Sequence, residues 1–193
     1  GMFLCTDILF TLGKKSADFV ENNGGKAKSK VPVGSLFMER DLFERKEKNN
    51  FDSYDILIFE SNQTNKHHSG YNSYFPDYYL HFEWIKKISQ EYPNLKIAIK
   101  HRRYLSDKYE IELFKNLKNV KQITDFSNDK SDSYFLGLKA KSLCTWSSTL
   151  GYEFIGEGKE CLYLDPGGRN LGFLPECEDN NLIRVTSYED FKY

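Results

Sequence analysis

The stretch LCTWSSTLGYEFIGEGKECLYLDP, residues 143–166, decides how the chain is read. Residues 142–146, SLCTW, make a short apolar run of strand length, and a helix-length segment at 150–157 follows directly after Ser147, Ser148 and Thr149. A second apolar run, ECLYLD at 160–165, closes the unit. A strand, a helix and a strand in this order suit a parallel pair, because parallel neighbours need a crossover connection. The turn before the helix then lies at the carboxyl edge of a sheet, where free backbone N–H groups meet the positive helix end. Small hydroxyl side chains there add donors without blocking access, which suits phosphate or diphosphate. Glu153, about a turn into the helix, offers a carboxylate that can accept two hydrogen bonds from a vicinal diol such as ribose. The plain alternative is a helix cap, worth roughly 1 kcal/mol, beside an ordinary solvent-facing glutamate. The local pattern leaves both open.

The same alternation extends over most of the chain. Strand-length apolar runs fall at 7–12, 30–35, 54–61, 95–100, 119–124, 142–146, 160–165 and 181–186. Short continuous runs of this kind suit strands buried on both faces, as in a parallel sheet. Helical segments are expected at 14–23, 75–91, 107–117, 131–139 and 150–157. In the second, Tyr78, Phe82, Ile85 and Ile88 share one face and Pro93 follows as a stop signal. The expected fold is therefore α/β: a Rossmann-like, doubly wound parallel sheet flanked by helices. Residues 38–53 read as a charged, exposed connection. Residues 62–77 read as a long polar and aromatic loop after a strand end, where ligands of such sheets bind.

Composition limits the classes. At 193 residues, with 39% hydrophobic and 28% charged residues, the chain suits one α/β domain and is short for two. A net charge of −1 lacks the basic excess of a dedicated DNA binder, so no nucleic-acid partner is expected. No apolar run reaches membrane-span length, and the first residues lack a signal peptide's basic region and cleavage site. Cys5, Cys144, Cys161 and Cys177 show no metal-binding spacing, which points to a reducing, cytoplasmic setting. Gly1 before Met2 reads as an expression remnant.

A second chemical cluster ends the run LKIAIKHRR at 95–103: Lys100, His101, Arg102 and Arg103. Arginine offers bidentate phosphate contacts and lysine a point charge, so the cluster can stabilise a departing phosphate. A solvated basic patch is the plain alternative. His67 and His68 have no evident third ligand for a metal. Gly167, Gly168 and Arg169 can close over a sugar or phosphate or form a plain turn. Asp125, Asp129 and Asp132 lack the glycine and terminal glutamate of a calcium loop. The aromatic residues from Tyr71 to Tyr79 come without an RNA-binding motif. Neither a metal nor a cofactor is called for.

Strand, SST, GYE and GKECLYLDP together resemble the C-terminal domain of GT-B-type glycosyltransferases and of the related non-hydrolysing UDP-GlcNAc 2-epimerases. The resemblance implies that Ser147, Ser148 and Thr149 contact donor phosphates and that Glu153 holds the ribose. LKIAIKHRR resembles the K-x-H-P or H-P element of bacterial sialyl-, Kdo- and polyol-phosphate transferases, with Arg102 in place of the proline. This implies that His101, with Arg103, serves the leaving phosphate and that Lys100 binds substrate. Residues 7–35 resemble the interdomain segment of that fold, with Gly34 and Ser35 marking the loop into the nucleotide-binding domain. A strand–helix–strand segment at 1–35 and a Rossmann-like nucleotide-sugar-binding unit at 36–193 follow from this, together forming one half of a GT-B fold. The expected partners are a nucleotide-sugar donor and a missing N-terminal acceptor domain, with peripheral membrane contact only through the full-length protein. The implied function is donor binding in surface-polysaccharide glycosyl transfer, with this chain alone inactive. Alternatives are a 2-epimerase or polyol-phosphate transferase of the same fold, or a non-catalytic α/β interaction module.

Overall fold

The computed structural model describes residues 5–39, 52–60, 79–101, 108–123, 131–146, 148–168 and 184–192. The chain opens with β1 (Cys5–Thr11), α1 (Lys14–Asn22) and β2 (Lys26–Pro32), whose strands pair in parallel as a separate two-stranded sheet. The second sheet contains β3 (Ile56–Phe59), β4 (Ile97–Lys100), β5 (Val120–Ile123), β6 (Ser142–Thr145), β7 (Cys161–Leu164) and β8 (Arg184–Val185). Its helices are α2 (Leu80–Glu91), α3 (Lys108–Phe114), α4 (Ser131–Lys139), α5 (Thr149–Gly156) and α6 (Tyr188–Lys192). The strand order is β5-β4-β3-β6-β7-β8, and every neighbouring pair is parallel. Winding runs outward to β5, then returns past β3 to β6 and on to β8. The order therefore reverses between β3 and β6, where doubly wound sheets open a crevice for ligands.

Alternation along the strands sends side chains into two cores. On one face Ile58, Ile97, Ile99, Cys144 and Leu164 meet Phe82, Ile85 and Ile88 of α2, Phe114 of α3 and Phe191 of α6. On the other face Leu57, Phe59, Ala98, Leu143 and Cys161 meet Tyr134 and Leu136 of α4 and Phe154 of α5. Apolar side chains above and below β3, β4, β6 and β7 explain why these stretches of sequence show continuous rather than alternating runs. Phe59 and Phe154 stack with ring centroids 5.5 Å apart and planes 9° from parallel.

Gly137 on α4 is required by this packing. A Cβ there would lie 2.1 Å from Cζ of Phe154, within a fully buried ring. Gly137→Ala should therefore destabilise the chain by about 3 kcal/mol, in the range for overpacked cores. Urea denaturation should show a lower midpoint with an unchanged slope.

Cys144 and Cys161 are buried, and burial pushes the Cys144 thiol up to about 12. The thiolate is the reactive form, so Cys144 should resist iodoacetamide at pH 8 in the folded chain and react after unfolding. Cys5 is exposed and should label without denaturant. Mass spectrometry of the labelled peptides checks both outcomes.

Two sequence expectations shift. The second strand runs at Lys26–Pro32 rather than 30–35. Pro32 lacks a ladder donor, and Gly34 with φ +70° turns the chain away. Ser35 Oγ then accepts from Met38 N at 3.2 Å and starts a helical turn at 36–39. Met38, expected in an exposed connection, is instead fully buried against the α4–α5 face. Residues 40–51 of that connection and all of 62–77 lie outside the described residues.

Candidate functional site at the carboxyl edge of the sheet

The site is assembled around the reversal point. Thr145 is fully buried at the end of β6, and its Oγ1 donates to Phe59 O of β3 at 2.9 Å. The same oxygen accepts from Ser148 N at 3.0 Å, so one hydroxyl ties both strand ends to the turn that follows. Tyr163 of β7 fastens the turn from the other side, its hydroxyl donating to Ser148 O at 2.9 Å. Ser148 caps α5, accepting from Leu150 N at 3.3 Å. The helix-cap reading is thus realised at Ser148, whose N–H and Oγ are both engaged. Thr149 is exposed at the first position of α5. Its N–H has no partner among the described residues. That leaves an amide at the positive helix end, the kind of group an anion accepts.

Glu153 is not a solvent-facing helix residue. Ser35 Oγ, from the loop after β2, donates to its Oε2, and Tyr134 OH of α4 donates to the same oxygen at 2.8 Å. Residues 118 positions apart are thereby joined. Gly34 makes the approach possible through its left-handed backbone; the surrounding space is open, so conformation is the constraint there. Oε1 of Glu153 has no hydrogen-bond partner among the described residues. A carboxylate can accept about four hydrogen bonds, so capacity for a diol remains.

Beside the reversal point, β4 ends in Lys100 and His101, both buried. His101 Nδ1 lies 3.7 Å from Glu60 Oε2, the residue that follows β3, and both side chains are almost fully enclosed. A further buried acid, Asp165 after β7, accepts from Arg184 Nε at 2.8 Å and Nη2 at 2.5 Å. Asp165 O also accepts from Gly168 N at 3.0 Å, which makes the Gly167–Gly168 segment a turn beside a structural ion pair.

No family model matches the sequence, and no curated protein matches it. Solved structures do match the fold. A UDP-GlcNAc 2-epimerase from Neisseria meningitidis bound to UDP-GlcNAc superposes with TM-score 0.59 at 14% identity, over 95% of this chain and 50% of that one. The S. aureus MnaA-UDP co-structure superposes with TM-score 0.64 at 16% identity, over 96% of this chain and 49% of that one. The fold is a GT-B-like half. This chain spans about half the length of each structure it resembles.

Within this GT-B-like half, Gly34, Ser35 and Glu153 form one local group, and Ser148 with Thr149 opens the same helix that carries Glu153. Lys100 and His101 end a neighbouring strand at the same edge. Ser147 and Arg103 lie outside the described residues, as do Arg102, His67, His68, Asp125, Asp129 and Arg169. Sequence reasoning missed Tyr134, Thr145 and Glu60. Glu60 had a signal, being an acid directly after the buried run ILIF. Tyr134 had none, since only packing of α4 on α5 brings it to Glu153. Among the described residues no group of three or more His, Cys, Asp or Glu side chains could hold a metal ion. No described helix is long and apolar enough to cross a membrane.

Proposed function

We propose that this chain is the nucleotide-sugar-binding half of a GT-B-type enzyme, and that the full protein transfers the sugar in surface-polysaccharide synthesis. The observation that carries the reading is the meeting of Glu153 with Ser35 and Tyr134 just behind the open amide of α5, at the carboxyl edge. A half-engaged carboxylate for the ribose diol and an anion-accepting helix end are what a nucleoside diphosphate needs. On this reading residues 1–35 are the interdomain segment and 36–193 the binding unit. An acceptor-binding half supplies the second wall of the cleft, and any peripheral contact with a membrane surface belongs to the full protein.

In the proposed transfer an acceptor hydroxyl forms a bond to the anomeric carbon as the bond to the nucleotide's phosphate oxygen breaks. The acceptor's proton leaves to a base in the other half, and the leaving phosphate gains negative charge. Thr149 N–H, Ser147, Lys100, His101 and Arg103 would offset that charge, a stabilisation that grows as the bond breaks. A UDP-sugar 2-epimerase is the second reading, supported by the epimerase fold neighbours.

The test is thermal denaturation with UDP, CDP, CMP, GDP and ADP. A ligand that binds only the folded chain raises the melting temperature once its concentration exceeds Kd. One pyrimidine nucleotide should stabilise the chain selectively. A flat panel at millimolar concentration would favour a non-catalytic module. With the full-length protein, product from sugar nucleotide alone would favour epimerisation, and product only with an acceptor would favour transfer.

A further inference from the structure

We propose that β1, α1 and β2 belong to the core of the enzyme's other half, and that the open apolar face of Ile8, Phe10 and Val31 seats an amphipathic helix of that half. The proposal rests on the two-half reading above, and not on which ligand the cleft takes.

Register and alternation give this small sheet two unlike faces. Phe10 lies opposite Val31 and Ile8 opposite Ser29, so these four share one side, while Leu9 and Lys30 share the other. The second side is the one under α1, whose Glu21 and Asp18 both pair with Lys30. The first side is open: Phe10 is 62% exposed, Ile8 53% and Val31 36%. Leu12, just past β1, is also exposed. The ordinary arrangement is reversed, because a sheet normally turns its apolar side to the core and its charged side to water. Parallel sheets occur almost only with both faces covered. Among the described residues β1 and β2 pair only with each other, so each also keeps a free edge.

The fold likeness indicates the occupant. The superpositions take in 95 and 96% of this chain, hence most of β1, α1 and β2, while about half of each matched chain has no counterpart here. In an α/β layer fold the cover of a parallel sheet is helical, so the occupant is a helix with an apolar stripe. The chain leaves the unit abruptly. Val33 N still donates to Thr11 O at 2.9 Å, Gly34 turns the backbone with φ +70°, and Met38 is already buried in the core of the six-stranded sheet. The boundary between the halves therefore falls at Gly34, beside the Ser35 hydroxyl that donates to Glu153.

Hydroxyl-radical footprinting, read by mass spectrometry on this chain and on the full-length protein, tests the proposal. Ile8, Phe10 and Val31 should oxidise readily in this chain and fall to the rate of fully buried Phe82 in the full-length protein. Exposed Tyr92, at the opposite edge of the six-stranded sheet from the cleft, should react alike in both. Phe10→Thr, which keeps a strand-forming residue, should leave the melting temperature of this chain unchanged and lower that of the full-length protein. Equal oxidation of Phe10 in the two proteins overturns the proposal. Protection that appears in this chain alone and grows with its concentration makes the occupant a second copy, and overturns it as well. A full-length protein without a further α/β half does the same. Nucleotide binding enters none of these readings, so a chain that does not take UDP overturns the proposed ligand and leaves this test standing.

Discussion

Glu153→Gln should abolish most of the nucleotide affinity of this chain while leaving its melting temperature close to that of wild type. The carboxamide oxygen can still accept from Ser35 and Tyr134, so the brace between the β2 loop, α4 and α5 survives. What is lost is the charge on the free side of the group. Hydrogen bonds to a charged acceptor contribute about 1.5–3 kcal/mol, so UDP binding should weaken roughly 10- to 100-fold. Isothermal titration gives the affinity, and a melting curve on the same samples gives the stability. If Glu153 served only to brace the loop, Glu153→Gln would bind UDP as wild type does. Glu153→Ala is the harsher change, because it leaves two hydroxyls without their acceptor.

Phe154→Ala should remove about 4 kcal/mol of stability, within the range for emptying a buried aromatic site. The ring is fully buried, stacks on Phe59 and lies 6.2 Å from Tyr134 between centroids. For a domain whose total stability is about 5–15 kcal/mol, that change brings the chain close to unfolding at room temperature. The substitution also cures a clash: the Gly137→Ala methyl points at this ring. The two changes should therefore be strongly non-additive, with Gly137→Ala costing little once Phe154 is alanine, as expected for residues in direct contact. Urea denaturation of the single and double variants measures the coupling. Additive losses would mean that α4 and α5 do not pack through these residues.

Much of this architecture could be read from the chain. Six of the eight apolar runs taken for strands enclose one, because short uninterrupted runs such as ILIF and IAIK suit strands covered on both faces; the first two only overlap β1 and β2. The turn at Ser148 and Thr149 was legible for the same reason, lying between one such run and a helix. Strand order was less accessible, since neighbours are chosen by crossover handedness and packing rather than by local pattern. Nor could spacing show that Ser35 reaches Glu153. That contact depends on Gly34 reversing the chain and on Met38 anchoring the loop in the core. The same loop explains the misplaced second strand: VPVGS has strand-like residues, but Pro32 and Gly34 end the ladder early. Tyr134 sits at an ordinary helical core position, and its hydroxyl acquires a role only when α4 lies against α5.

The central claim is that a nucleoside diphosphate occupies the carboxyl edge between the α5 amides, Glu153 and His101. The most direct test is a UDP titration of the 15N-labelled chain followed by amide resonances. The account predicts saturable shifts at Thr149, Leu150 and Glu153, with smaller ones at Ser35 and His101. Shifts confined to other surfaces, or none at millimolar UDP, would contradict it.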